Sequence, residues 1–395
     1  MTSALELNLA ARYLAVTPAR LAIAHELRSP MSFFDPRAGF EQIGSYQENI
    51  YSLSCRTEIL LEHPAGTSPI VINDLRMCEI ALDLITAAIQ ETVESQADLM
   101  HFLISRFVLE QSVMYHSPAL KAGLFADRVN SEVQDRELRR KHDVSFVQMS
   151  IEQDRYHLEQ IVQFMLAHET THYCLFNDER FRINWVAEIR DRFSAILSTW
   201  DEDEPTPGPN NFLRGHLHAR VKECDEWAGG DLPEKLEETI CDACAMVSLV
   251  HTMHNKGALK GRIAGIMLSI HASLSATWLV TMGRKAVREL LTTATTDLSE
   301  MAVLLQERTG VAMVVLAQTI GESLMQENAK PEGMLVESWR AQPDFEEMIL
   351  ESFNSLFAME NLERAMLIGD SLQDTGFCSA RTVNHAILKH FGWSA

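Results

Sequence analysis

From Ser150 to Phe176 the chain sets Leu158, Ile161, Val162, Met165, Leu166 and Tyr173 at helical spacing, so the run must form a long helix with one broad apolar face. Ser150 is suited to cap it, and Glu152 and Asp154 place negative charge in its first turn, where the helix dipole favours it. The same period recurs along the sequence. Asp74 to Leu99 repeats apolar residues at Leu75, Cys78, Ile80, Leu82 and Ile85, and Phe102 to Val113 continues as a second helix. Further helices are expected at Arg182–Trp200 and at Asp231–His254, the latter bounded by Gly229-Gly230 and Gly257. From Ala258 onward the pattern is almost wholly helical, with breaks near Lys330-Pro331-Glu332-Gly333 and Gly369.

Strand-like segments are few: Pro69–Asn73 and Asp143–Met149. The expected fold is therefore mainly α, with a small β-sheet next to the helix that begins at Ser150. Three regions follow: a mostly helical 1–142, a core at 143–257 and a helical 258–395. The acidic, Pro-rich stretch Asp201–Pro209 reads as a linker or exposed loop, and Arg136–Lys141 as a solvated helix end.

Charge narrows the functional classes. The 34 Lys+Arg against 55 Asp+Glu leave a net charge of −21. Nucleic-acid binding needs a basic surface to neutralise phosphates, and anionic membranes select for one as well. Neither partner is expected. The seven cysteines are odd in number and irregular in spacing, which points away from a secreted disulfide framework. The segment Met1–Glu6 lacks a basic stretch followed by an apolar core, so no secretory signal is expected, and the location is read as cytoplasmic. Ile263–Met282 is uncharged over 20 residues and long enough to span a bilayer. Ser269, His271, Ser273, Ser275 and Thr277 interrupt it on several faces, which favours a buried central helix.

Chemistry concentrates in Leu166-Ala167-His168-Glu169-Thr170-Thr171-His172-Tyr173-Cys174. A spacing of four puts His168 and His172 one turn apart on one face, so both imidazoles reach one metal ion. Glu169 lies beside that face, placed to contact a metal-bound water without being a ligand. Two imidazoles to hold an ion and a separate carboxylate to take a proton is the division of labour that metal-assisted hydrolysis requires.

A catalytic zinc site normally has three protein ligands and one open position. Asp178, six residues after His172, needs a sharp turn where the chain has Leu175. The stronger third ligand is Glu238, in Leu236-Glu237-Glu238-Thr239-Ile240-Cys241-Asp242, where Glu238 and Asp242 share a helix face. Two carboxylates on a largely apolar face need positive charge to hold them. A metal ion serves Glu238, and the free ring N–H of a liganding histidine serves Asp242. The other reading makes Glu234, Glu237, Glu238 and Asp242 a solvated acidic face.

H-E-x-x-H followed at a distance by E-x-x-x-D resembles the gluzincin type of zinc metallopeptidase. The 65 intervening residues are closer to the CAAX-prenyl-protease-like arrangement than to the thermolysin-like one. The resemblance, which spans Asp143 to His254, implies a zincin-like core, with His168, His172 and Glu238 on Zn2+. It also implies Glu169 as general base, Asp242 as the group that orients a histidine, and a peptide or protein substrate. The strand at Asp143–Met149 would then pair with an extended peptide. His216, His218 and His251, with His254, are candidates for the donor that steadies the oxyanion or the substrate. Cys241 and Cys244 form C-x-x-C with no second pair nearby and read as small core residues. The alternative function is a regulatory zinc-binding helical protein that acts through a protein partner.

Overall fold

Helix packing, rather than strand pairing, organises the chain. The computed structural model describes residues 70–114, 149–202, 210–259, 261–293, 299–326 and 342–356, the short segments 33–35, 39–41, 46–50 and 58–60, and residues 55, 335, 337 and 338. Strands β1 (Phe33–Asp35) and β2 (Gly39–Glu41) form an antiparallel pair. Strands β3 (Tyr46–Ile50), β4 (Glu58–Leu60) and β5 (Ile70–Asp74) form a sheet of order β3-β5-β4, with β3 parallel and β4 antiparallel to β5. The segment 143–148, read as a strand from sequence, lies outside the described residues, as do 203–209 and 136–141.

β5 runs straight into α1 (Leu75–Ala88), where the Asp74 carboxylate accepts the Arg76 N–H at 3.0 Å. The periodicity predicts helix through Leu99, but α1 stops at Ala88 and α2 (Val93–Met114) starts afresh. The reason is local. Gln96 Nε2 donates to the carbonyls of Ala88 and Gln90, and Thr92 Oγ1 accepts the Ser95 N–H at 3.1 Å. Side chains thus satisfy one helix end and cap the next, which the apolar spacing alone does not reveal.

The remaining helices are α3 (Ile151–Asn177), α4 (Glu179–Glu202), α5 (Asn210–Glu226), α6 (Glu234–Asn255), α7 (Ile263–Thr293), α8 (Ser299–Gln326) and α9 (Phe345–Leu356). Ser150 caps α3 as expected and does so reciprocally with Gln153: each side chain accepts the other's backbone N–H. Helix α6 ends in a Schellman motif, with Gly257 at φ +64°, its N–H on the His254 carbonyl and the Ala258 N–H on that of Met253. Helix α5 has no counterpart in the sequence reading. Its buried stripe is Leu217, Arg220 and Cys224, and an arginine in the middle hides the apolar period.

Packing sets the site's frame. Helix α3 lies along α6, and α6 in turn lies along α8. Helix α7 sits at the centre and touches α1, α2, α3, α8 and α9. Its stretch Ile263–Ala286 has the length and hydropathy of a membrane span, yet most of it is buried against these neighbours. Buried residues from Cys55 to Phe353 belong to one apolar cluster. At the α2–α7 crossing, a Cβ on Gly283 would come within 2.3 Å of the Phe107 ring. Phe107 is itself fully buried and has no room to turn aside. Gly283→Ala is accordingly expected to destabilise the protein by about 1–3 kcal/mol, read as a lower denaturation midpoint at unchanged slope.

Candidate metal centre

Two helices bring the chemistry together. Helix α3 carries His168 and His172 one turn apart, and α6 presents Glu237, Glu238, Cys241 and Asp242 as a patch two residues wide and two turns deep. Thr170 and Thr171, on the buried side of α3, donate to the carbonyls of Leu166 and Ala167, so their hydroxyls need no partner from the facing helix. Helix α8 contributes Arg308.

The imidazoles face each other. Their Nε2 atoms lie 3.2 Å apart, and the Glu238 carboxylate is 3.5 Å from each, through Oε2 to His168 and Oε1 to His172. The opposite ring nitrogens meet two other carboxylates. His172 Nδ1 donates to Glu237 Oε1 at 2.8 Å. His168 Nδ1 is 2.9 Å from Asp242 Oδ1, close enough for strong attraction but off the line of the ring N–H. Arg308 ties the carboxylates together: Nε and Nη2 grip both oxygens of Asp242 at 2.9 Å, and Nη2 reaches Glu238 Oε2 at 2.9 Å.

Electrostatics makes this arrangement demanding. A carboxylate accepts hydrogen bonds and does not donate, so Glu237 holds the proton of His172 on Nδ1 and turns the Nε2 lone pair inward. Two inward lone pairs and a carboxylate repel one another unless a proton or a metal ion lies among them. Burial pulls the His168 pKa down, but Asp242 and Glu238 outweigh it and raise it to about 10. Burial pushes Glu238 and Asp242 up; His168 and Arg308 more than reverse this, taking Glu238 to about 2 and Asp242 well below the usual carboxylate range. Glu169 goes the other way. Burial raises its pKa, and the nearby charges of His168, His172 and Arg308 only partly restore it.

The donors fit a metal ion. A tetrahedral zinc with ligands at ~2.0–2.1 Å sets its donor atoms about 3.3 Å apart, close to the spacings of His168, His172 and Glu238. Arg308 pairs with Glu238 and Asp242, and Glu237 and Glu169 add two further carboxylates beside the imidazoles, an excess of negative charge that a dication offsets. The Cys241 sulfur and the ring nitrogens of His168 and His172 also lie within 4.8 Å of one another, a group that can hold a metal ion. Cys241 and Cys244 are both fully buried in the apolar cluster, as small core residues are, and the Cys241 sulfur also lies near the imidazole pair.

The other candidates sit elsewhere. Asp178 is exposed and accepts the Phe181 N–H at 3.0 Å, which makes it a cap for α4. His216 pairs with Glu307 at 3.3 Å, beside Arg220 and Lys235 on the same carboxylate. His218 is exposed. His251 stacks on His254, and its 13-residue separation from Glu238 along α6 amounts to about 20 Å, too far to reach the imidazole pair. Two residues escaped the sequence reading. Glu237 has no role in the sequence reading beyond the alternative solvated face, and Arg308 lies 66 residues beyond Asp242 with no local pattern to mark it.

A cavity of about 330 Å³ opens beside the group. Leu274, Trp278, Leu304 and Val311 give it apolar walls, and Glu238 and Arg308 bring it to the edge of the centre. Comparison with protein-family models, curated proteins and solved structures finds no match to the chain.

Proposed function

We propose that the protein is a zinc metallopeptidase of the gluzincin type, in which His168, His172 and Glu238 hold the ion and Glu169 moves the proton. The observation that carries this reading is the meeting of both Nε2 atoms, 3.2 Å apart, with one carboxylate 3.5 Å from each, while Glu169, next to both histidines, takes no part in holding the imidazoles. Zinc bound there supplies a Lewis acid for a carbonyl and makes water acidic enough to lose a proton near pH 7.

The chain's own groups do the rest. Glu169 accepts a proton from the attacking water and returns it to the leaving amine, and a carboxyl pKa raised by burial suits both halves of that task. Glu237 keeps His172 in the tautomer that offers Nε2, and Asp242 does the same for His168 by charge. Arg308 fixes Glu238 and Asp242 against each other. The apolar cavity provides room for a substrate side chain beside Glu238. Contacts of β4 and β5 with α3 support a zincin-like arrangement of sheet and active-site helix.

Purified protein is expected to hold about one zinc per chain and to cleave members of an unbiased peptide library, with cleavage lost on chelation and restored by zinc. Zinc without any cleavage would favour the regulatory zinc-binding alternative, and cleavage indifferent to chelation would end the metallopeptidase reading. Glu237→Ala removes the acceptor of a ligand's N–H and should weaken zinc by about 10–100-fold with the fold unchanged. A competition titration against a chromophoric chelator measures this, and equal affinity would return Glu237 to the solvated face.

A further inference from the structure

Cys241 has no part in the mechanism above, yet α6 brings it to the same place. It is three residues beyond Glu238 and next to Asp242, so the turn that carries the carboxylates to the imidazoles carries the thiol with them. Its sulfur lies within 4.8 Å of the ring nitrogens of His168 and His172, and the residue is fully shielded from solvent. A core cysteine ordinarily packs against apolar side chains. This one stands among two imidazoles and the charged groups of Glu237, Glu238 and Asp242. Sulfur is also the softest donor in the group, and zinc takes thiolate, imidazole and carboxylate together.

We propose that Cys241 is a fourth metal ligand that closes the centre at rest and yields its position to water or substrate during turnover. The proposal rests on the reading that His168, His172 and Glu238 hold the ion. On closure the S–H bond breaks and its proton leaves to solvent. A sulfur lone pair forms the bond to the metal, and one water molecule is released; no oxidant or reductant takes part. A thiolate ~2.3 Å from zinc and an imidazole at ~2.0–2.1 Å would be about 3.6 Å apart, so a side-chain shift of about 1 Å from the observed group completes the geometry.

Cobalt(II) tests this on the full chain. Metal-free protein reconstituted with cobalt is expected to bind one ion and show the near-ultraviolet thiolate-to-cobalt charge-transfer band. Cys241→Ala should bind cobalt without that band, while Cys244→Ala keeps it. X-ray absorption at the zinc edge of the parent should show one sulfur at about 2.3 Å, a measurement that stands even if a variant fails to fold. Peptide cleavage by Cys241→Ala should rise by the inverse of the open fraction, about 10-fold for a centre nine-tenths closed. Cobalt bound without the band, a band that survives Cys241→Ala, or a zinc edge without sulfur overturns the ligand and leaves the metal reading intact. An unchanged cleavage rate overturns the closing role. Absence of cobalt binding overturns the metal reading and this proposal with it.

Discussion

Glu169→Gln is expected to leave metal content and thermal stability nearly unchanged while turnover falls about 10²–10⁴-fold, the usual contribution of a positioned acid–base group. The substitution keeps the length and hydrogen-bonding reach of the side chain but removes its ability to take a proton at neutral pH. Glu169 is not among the groups that hold the imidazoles, since Glu237 and Asp242 occupy the Nδ1 positions and Glu238 faces both Nε2 atoms. Loss of zinc in this variant would make Glu169 a ligand or a structural group and would favour the regulatory zinc-binding reading. Undiminished cleavage would remove the proton-transfer role. Because substrate should still bind, the variant also serves to capture it from a peptide mixture.

His168→Ala, His172→Ala and Glu238→Ala are each expected to lose most of the bound zinc, measured as metal per chain after dialysis. Structural zinc is held by apparent free energies of about 10–16 kcal/mol in zinc-finger peptides, and removal of one donor forfeits a large part of such binding. That binding energy should also stabilise the fold, because the proposed ligands come from α3 and α6 and their joint grip exists only in the folded chain. Zinc at 1,000 times its dissociation constant should stabilise the parent by about 4.1 kcal/mol, seen as a raised melting temperature, and should do little for the three variants. Full zinc content in Glu238→Ala would take Glu238 out of the ligand set. His168, His172 and Cys241 would then remain as the donor set, because the Asp178 carboxylate is engaged in capping α4.

The centre was legible where its pattern is local. An α-helix repeats every 3.6 residues, so the spacing of His168 and His172, and that of Glu238 and Asp242, places each pair on one face whatever the rest of the chain does. The mostly helical character and the Ser150 start of α3 followed from the same short-range rules. Breaks that depend on polar side chains were not legible: Gln96 and Thr92 end one helix and start another inside an unbroken apolar period. Nor was α5, where Arg220 fills a core position by pairing with Glu307, a residue 87 positions away.

What only the tertiary structure decided is the pairing across helices. Sequence named Glu238 and Asp242 as partners for a histidine pair, but not which ring nitrogen each would meet. It gives Glu237 no role beyond the alternative solvated face and leaves Arg308 unmarked. Those outcomes depend on the axial offset and rotation of α6 against α3 and of α8 against α6, which are set by how buried side chains interlock along the whole length of each helix. A rotation of α6 by a single residue would exchange Glu237 for Glu238 at the imidazoles and swing Cys241 and Asp242 with them. Periodicity therefore determined which residues could form a metal centre, and packing determined which of them face it.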